Sequence, residues 1–265
     1  MLEIQIMSTA ESYIDAQEKL MTLNLLKMAF KKFETLETFR SYLSDKGVNI
    51  SVANLSRYIN GKALPKSNLK NELLKILVEN KELSLTINQL IKNHIDIWTN
   101  EEGKIVVTNT YLLNDSKTLK AILFLAIYQN IIPRDIDKII TAEVDGIPIA
   151  MTLAHLLNID CVYARRKKPL GSTSVIWEDI QSTSSGRLET IYFPDNFIRH
   201  KERILIVDDI IRAGSTQKAL VNLVRKTGGI PKKIIILTGI GSHWKDITEL
   251  DTIPFKVLKT LPEEN

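Results

Sequence analysis

The sequence predicts an α/β fold with a mainly parallel sheet, preceded by an all-α domain. Two contrasts along the chain and one composition argument carry this expectation. Residues 1 to about 95 are rich in Leu, Lys, Asn and Glu, with apolar side chains at helical spacing and almost no glycine. Period-3.6 spacing is the mark of amphipathic helices. From about residue 104, short β-branched runs alternate with helical stretches, the pattern of βαβ units and a parallel sheet. Finally, 44% hydrophobic and 25% charged residues match an ordinary globular chain rather than a disordered or fibrous one.

The elements follow in order. Leu20, Leu23, Leu26, Lys27 and Phe30 fit one helix, and Leu36, Phe39, Tyr42 and Leu43 a second. Leu69, Leu73, Leu74, Ile76, Leu77 and Leu83 lie on a third long stretch. Gly47 and Gly61 each sit beside a polar residue and read as helix ends or turns. The turn at 101–103 is the expected junction, dividing a helical domain at 1–100 from an α/β domain at 104–265. In the second domain, strands are expected at 105–108, 138–141, 160–164, 190–193, 204–207, 233–238 and 255–258. Helices are expected at 118–128, 148–157 and 216–227, and the tail 263–265 is expected to fray.

Composition excludes several classes. The longest apolar runs are far too short to cross a bilayer. The N-terminus has acids where a secretory signal would need a basic start and an apolar core. The single cysteine, Cys161, excludes an internal disulfide and a Cys-cluster zinc site; it reads as a small apolar residue on a buried strand. The four histidines are far apart and show no metal-ligand spacing. A cytoplasmic protein with no membrane partner is expected.

The strongest chemical signal runs from Arg203 to Thr216. An apolar strand delivers adjacent carboxylates, Asp208 and Asp209, and then Ala213, Gly214, Ser215 and Thr216 open a helix. Loop N–H groups and a helix N-terminus attract phosphate. Paired acids at a strand end accept hydrogen bonds from vicinal ribose hydroxyls. Neither a Rossmann fingerprint nor a P-loop is present.

The segment Val207-Asp208-Asp209-Ile210-Ile211-Arg212-Ala213-Gly214-Ser215-Thr216 resembles the 5-phosphoribosyl-1-pyrophosphate (PRPP) motif of type I phosphoribosyltransferases. Ala142-Glu143-Val144-Asp145-Gly146-Ile147-Pro148-Ile149-Ala150 resembles that family's pyrophosphate loop, with a glycine where backbone approaches the ligand. Tyr163-Ala164-Arg165-Arg166-Lys167-Lys168 resembles its basic segment. The resemblance covers roughly residues 104–260 and implies the type I phosphoribosyltransferase fold. It also implies a PRPP or nucleotide site at Asp208, Asp209, Ala213, Gly214, Ser215, Thr216, Val144, Asp145, Gly146, Arg165, Lys167 and Lys168. The polar stretch 171–190 resembles the hood of bacterial purine-operon repressors, in Gly171-Ser172-Thr173 and in Ser184-Ser185-Gly186-Arg187-Leu188-Glu189-Thr190. Ala213 stands where many catalytic members carry Thr.

The N-terminal domain offers a DNA-reading element at about 35–62. Ser51 is a good N-cap, Leu55 and Ile59 face inward, and Asn54, Arg57 and Tyr58 lie on another side. Asn60-Gly61 ends the helix, and Pro65 blocks its continuation. Between Lys46 and Lys75 lie six basic residues against one acid, Glu72, so this segment carries more charge than the net +4 of the whole chain. Lys62, Lys66 and Lys70 suit phosphates, whereas Asn54 and Arg57 suit base edges. The run Leu55-Ser56-Arg57-Tyr58-Ile59-Asn60-Gly61-Lys62 with Pro65 resembles the recognition helix of phage-repressor-type helix-turn-helix domains. The whole arrangement is similar to archaeal regulators that join a helix-turn-helix to an orotate-phosphoribosyltransferase-like domain.

These readings lead to a homodimeric regulator of purine or nucleotide genes. It binds double-stranded operator DNA through Ser51, Asn54, Arg57, Tyr58, Lys62 and Lys66, and senses a phosphorylated small-molecule effector, PRPP or a nucleotide, with or without Mg²⁺. No catalytic residue and no protein metal ligand is assigned. The alternative is an active purine or orotate phosphoribosyltransferase using PRPP and Mg²⁺, with charge stabilisation from Lys167 or Lys168. A third reading is a nucleotide-binding adaptor without DNA.

Overall fold

The computed structural model describes residues 2–79, 83, 85–99, 105–169, 171, 174–181, 188–246 and 252–262. The expected junction at 101–103 and the tail at 263–265 lie outside these. The chain divides into two compact units, Met1–Leu90 and Ile91–Asn265. No helix among the described residues is long and apolar enough to cross a membrane.

The first unit is helical: α1 (Leu2–Phe30), α2 (Leu36–Asp45), α3 (Val52–Ile59) and α4 (Ser67–Glu79), with α5 (Ile87–Lys92) at its end. Met21, Leu25, Leu26, Phe39, Leu43, Leu55, Leu73, Leu74 and Leu77 are fully buried and form its core. Phe33 packs against Phe39 and Tyr42 with ring centroids 4.7 and 5.1 Å apart. At the start of α2, Thr35 and Thr38 cap each other's backbone N–H. Gly47 takes φ of 91° where the chain leaves α2, a conformation that disfavours any residue with a Cβ.

Lys70 departs from the sequence reading. It was expected on a phosphate-binding face, yet it is buried and paired with Asp15 (2.9 Å) and Glu18 (2.6 Å) of α1. Ser67 donates to the same Asp15 carboxylate. The cause is helical spacing: Lys70 shares the inner side of α4 with Leu73, Leu74 and Leu77. Hydrogen bonds from Lys19 and Lys70 hold the Asp15 carboxyl down at about 2. Burial pulls the Lys70 ammonium down, but Glu18 and Asp15 outweigh it and its pKa rises.

The second unit begins with an antiparallel hairpin, β1 (Asp96–Thr99) and β2 (Ile105–Thr108). The sequence reading missed β1, because Ile97 and Trp98 stay exposed and so show no burial alternation. Short α6 (Thr110–Asn114) precedes α7 (Ser116–Tyr128), whose N-terminus is capped by the Asp115 carboxylate at the 117 and 118 N–H groups. Then follow β3 (Lys138–Ala142), α8 (Gly146–Leu157) and β4 (Asp160–Ala164). An antiparallel ribbon comes next, β5 (Val175–Gln181) against β6 (Leu188–Pro194). The unit closes with β7 (Arg203–Ile211), α9 (Ser215–Lys226), β8 (Ile230–Ile240) and β9 (Phe255–Leu261).

The main sheet has five strands in the order β4-β3-β7-β8-β9, every neighbouring pair parallel. Ile140, Ile204, Ile206, Ile234 and Ile236 fill it, and Leu220 and Val224 of α9 pack upon it. After β3 the chain moves outward to β4, and β7 then returns to the other side of β3. The strand order therefore reverses between β3 and β7, which opens a crevice at their carboxyl ends. At the opposite ends of these strands, Arg203 grips Asp137 with bonds of 2.9 and 2.7 Å. That guanidinium holds the Asp137 carboxyl at about 2.

Lys70→Ala strips a buried partner from Glu18 and Asp15. Urea unfolding should show a loss of about 2 kcal/mol, less than for a wholly enclosed pair because Asp15 keeps solvent contact. Asp15 titrates low in the folded chain, so its share of stability is full above the unfolded carboxylate range near pH ~4 and declines as pH falls towards 2. The pH dependence of unfolding in wild type and Asp15→Asn should differ in that window.

Candidate functional site

The crevice is a cleft of about 430 Å³ built from three loops of the second unit. The end of β7 contributes Asp208 and Asp209, and the following loop contributes Arg212, Ala213, Gly214, Ser215 and Thr216. The loop after β3 contributes Glu143, Val144 and Asp145. Arg166, after β4, and Glu189, on β6, line it as well.

Each carboxylate of the pair is held differently. Asp208 is buried; its Oδ2 accepts from Gln217 Nε2 at 2.7 Å and its Oδ1 from the Asp209 N–H at 3.0 Å. Burial, and then the Asp209 charge, push its pKa well above the usual carboxylate range. Burial and the charge of Asp145 raise Asp209 to about 6. The Asp209 carbonyl accepts from Asn109 Nδ2 at 3.0 Å, and Asn109 Oδ1 accepts from Thr238 of β8 at 3.1 Å. Asn109 is buried and ties the loop between β2 and α6 to both strands.

Gly214 supplies the turn into α9 with φ of 75°, and among the described residues no side chain caps that helix. Its first-turn N–H groups are left for a ligand or water. Ser215 is committed elsewhere, donating from Oγ to the Gln181 carbonyl at 3.1 Å. Gly146 opens α8 against Thr141 and Asp208, where a Cβ would collide with the Thr141 hydroxyl. The sequence reading assigned this glycine to close approach of a ligand. The structure shows close approach to Thr141 and Asp208.

Of the expected site residues, Asp208, Asp209, Ala213, Gly214, Ser215, Thr216, Val144 and Asp145 come together on the cleft. Arg165, Lys167 and Lys168 are not in its lining; Arg166 is. The Arg165 guanidinium instead lies over the Tyr163 ring, 5.0 Å from its centroid, and donates to the Tyr163 hydroxyl. Arg166 pairs with Glu189, and its N–H donates to Glu143 Oε1 at 2.6 Å.

The expected hood at 171–190 is a two-stranded ribbon where it is described, with Val175 opposite Pro194 and Gln181 opposite Leu188. Its residues 172–173 and 182–187, including Arg187, lie outside the described residues. Sequence reasoning missed Asn109 and Gln217, and it quoted Glu143, Arg166, Glu189 and Arg212 within its motifs without naming them as site residues. Asn109 lies 100 positions before its partner, so no local spacing could reveal it.

In the first unit, α2 packs on α3 across a short turn. Ser51 caps α3, accepting from the Asn54 N–H at 3.2 Å. Asn54, Arg57, Lys62 and Lys66 are exposed. Tyr58 is a correction: it is buried beside Leu55 and Ile59, because positions three and four apart share one helix face. Cys161 is half-buried beside Met151, and burial pushes its thiol pKa up.

A model of the "Phosphoribosyl transferase domain" family matches residues 113–259. A hypoxanthine/guanine phosphoribosyltransferase of Methanocella paludicola is 30% identical over 131 residues, which is 49% of this chain and 66% of that protein. A xanthine phosphoribosyltransferase of Lactobacillus acidophilus is 34% identical over 92 residues, 34% of this chain and 48% of that protein. A probable purine biosynthesis transcriptional regulator PurR of Streptococcus pneumoniae is 30% identical over 101 residues, 38% of this chain and 37% of that protein. The matched stretch thus spans less than two thirds of these relatives. The crystal structure of an adenine phosphoribosyltransferase from Thermoanaerobacter pseudethanolicus superposes with a TM-score of 0.58 at 22% identity, covering 66% of this chain and all of that one.

A carboxyl with a raised folded-state pKa stabilises the fold below its unfolded pKa and loses that stabilisation as pH climbs to the folded value. Asp209 should therefore lower stability between pH ~4 and ~6, by roughly 3 kcal/mol in all. Asp209→Asn should flatten urea-derived stability across that window and raise it at neutral pH.

Proposed function

The chain belongs to the phosphoribosyl transferase domain family, and from that premise we propose that it is a DNA-binding regulator sensing a ribose 5-phosphate ligand. The reading assigns DNA binding to a domain at 1–100, with a helix-turn-helix made by α2 and α3. It assigns effector binding, of PRPP or a nucleotide, to a domain at 104–265. A phosphate would sit on the first turn of α9 beside Thr216, and ribose hydroxyls would donate to Asp209 and Asp208. The target genes would be those of purine or nucleotide metabolism, in line with the name of the streptococcal relative. The reading implies a cytoplasmic homodimer on a two-fold operator.

The observation that carries it is α3. This helix buries Leu55, Tyr58 and Ile59 and exposes Asn54 and Arg57, with Lys62 and Lys66 exposed just beyond its end. Such a short capped helix, packed on the one before it, has the parts needed to enter a major groove. Ligand binding in the second domain would alter operator affinity through a coupling of about 1–3 kcal/mol.

A second reading is favoured by the named relatives, two of which are phosphoribosyltransferases. Under it the same cleft would transfer phosphoribosyl groups from PRPP with Mg²⁺. Among the described residues, no three His, Cys, Asp or Glu side chains are grouped to hold a metal ion. Glu189 pairs with Arg166, and Lys167 and Lys168 are not in the lining, which leaves Arg212 as the other cation among the described lining residues.

Selection of binding sites from a random duplex library, followed by affinity measurement, tests the regulator. Arg57→Ala should cost about 1–3 kcal/mol on the selected site and relax one base position, while Lys66→Ala should weaken all sequences alike and lower the salt slope by about 1. Failure to enrich any sequence would overturn the DNA reading. Consumption of PRPP with adenine, hypoxanthine, guanine, xanthine, orotate or uracil would establish the enzyme instead.

A further inference from the structure

Asn109 stands at the cap position of α6, where an Asn side chain ordinarily accepts a first-turn N–H. Its side chain makes no such bond. The Thr110 N–H goes to Thr108 Oγ1 at 3.2 Å, and the Asn109 side chain turns inward, leaving the residue 1% exposed. There it joins two strands of the main sheet. Nδ2 donates to the Asp209 carbonyl of β7 at 3.0 Å, and Oδ1 accepts from Thr238 Oγ1 of β8 at 3.1 Å. These strands are parallel neighbours, with Ile210 opposite Thr238. The amide therefore bridges them at the end that carries the acids. A local cap is given up for a buried bridge, and a buried amide with donor and acceptor both engaged resists displacement because either group left unpaired there is costly.

The same residue follows the β1–β2 hairpin directly. Val107 and Thr108 of β2 line the cleft together with Asp209 and Ile210. Across the hairpin, Thr108 pairs with Asp96, the first residue of β1. Three residues, Asn93, His94 and Ile95, separate Asp96 from the end of α5. The boundary between the two units, at Leu90 and Ile91, falls within α5. His94 lies 3.6 Å from the Asp115 carboxylate, which caps α7. The hairpin exposes Ile97 and Trp98, and a two-stranded ribbon with little burial of its own is marginal in water. Its order therefore follows the fastening at its Thr108 end, where Val107 and Asn109 are buried.

We propose that Asn109 is a positioning residue that passes occupancy of the Asp208–Asp209 site to the β1–β2 hairpin, and so to the short chain leading back to α5. This rests on the ribose-phosphate reading above and deepens it, because it names the segment that responds when the site fills. Asn109 and Thr238 lie outside the cleft lining, so Asn109 acts through Asp209 rather than on the ligand. A ribose held by the Asp209 carboxylate fixes the end of β7, and Asn109 is bonded to the backbone of that same residue. The ligand shifts the hairpin as far as it prefers the clamped arrangement of Asp209 over a released one.

Amide hydrogen exchange of the full chain, read by mass spectrometry, tests it. Ribose 5-phosphate, GMP and PRPP, the last with magnesium, are the probes, each at a concentration that calorimetry shows to saturate. In the wild type, a saturating probe should slow exchange about tenfold in two places, the 209–216 loop and the hairpin strands at 96–99 and 105–108. Asn109→Asp keeps an acceptor for Thr238 but loses the donor to the Asp209 carbonyl. In it the loop should still be slowed, and the hairpin by less than about twofold. Thr238→Val removes the other half of the bridge without altering Asn109 and should blunt the hairpin's response in the same way; it decides the matter if Asn109→Asp does not fold. A purely structural residue would, when replaced, speed hairpin exchange equally with and without probe and leave the probe-dependent difference intact, and that result would overturn the proposal. A wild-type hairpin that stays unresponsive while the loop responds would overturn it too. So would a folded variant that has lost all probe binding, since Asn109 would then serve binding alone. If no probe binds folded wild-type protein, the ribose-phosphate reading falls and this proposal with it.

Discussion

Two adjacent carboxylates, Asp208 held almost out of water and Asp209 on the cleft wall, are the constraint around which the second unit is arranged. Burying a charge without partners is costly, and a group in that position either finds hydrogen bonds or takes up a proton. Asp208 has both remedies, two hydrogen bonds and an elevated pKa. Gln217, buried one turn into α9, serves Asp208 directly, so the helix that offers its N-terminus to an anion also orients the acid. Asn109 bridges the Asp209 carbonyl and Thr238, fixing the end of β7 to β8. Gly146 lets the start of α8 lie against the same carboxylate without a Cβ in the way. The parallel sheet brings these loops together because its strand order reverses between β3 and β7.

Charge is deployed in pairs more often than composition suggests. The basic run after β4 looks like a single cationic patch in the sequence. In the folded chain the Arg166 guanidinium pairs with Glu189, while Arg165 keeps its charge and lies over the Tyr163 ring. The same happens in the first unit, where Lys70 joins α4 to α1 rather than facing solvent. Around α3, Arg57, Lys62 and Lys66 stay exposed. A net charge therefore says little about a surface until the partners are known, because a paired cation contributes almost no long-range field.

The ribbon of β5 and β6 is fastened to α9 at both ends. Ser215 donates to the Gln181 carbonyl, Asn222 donates to Glu178, and Lys226 pairs with Glu178 and reaches the Trp177 carbonyl. The ribbon thus shares its support with the helix that begins the candidate phosphate site. The sequence reading placed a hood at 171–190 and a strand only at 190–193; the Ser and Thr that gave the stretch its polar character lie at 172–174 and 182–185, outside β5 and β6.

The sequence by itself determined the α/β order of the second unit, the helical character of the first and the loop of Asp208, Asp209 and Gly214. These are local matters: periodicity, turn residues and a motif within fourteen positions (Arg203 to Thr216) all act between near neighbours. Tertiary structure alone decided that Tyr58 and Lys70 face inward, that Arg166 lines the cleft, and that Asn109 and Gln217 hold the acids. It alone brought Asp145 within reach of Asp209. Those outcomes depend on which distant side chains compete for one buried carboxylate or one apolar face, and a linear pattern carries no record of that competition.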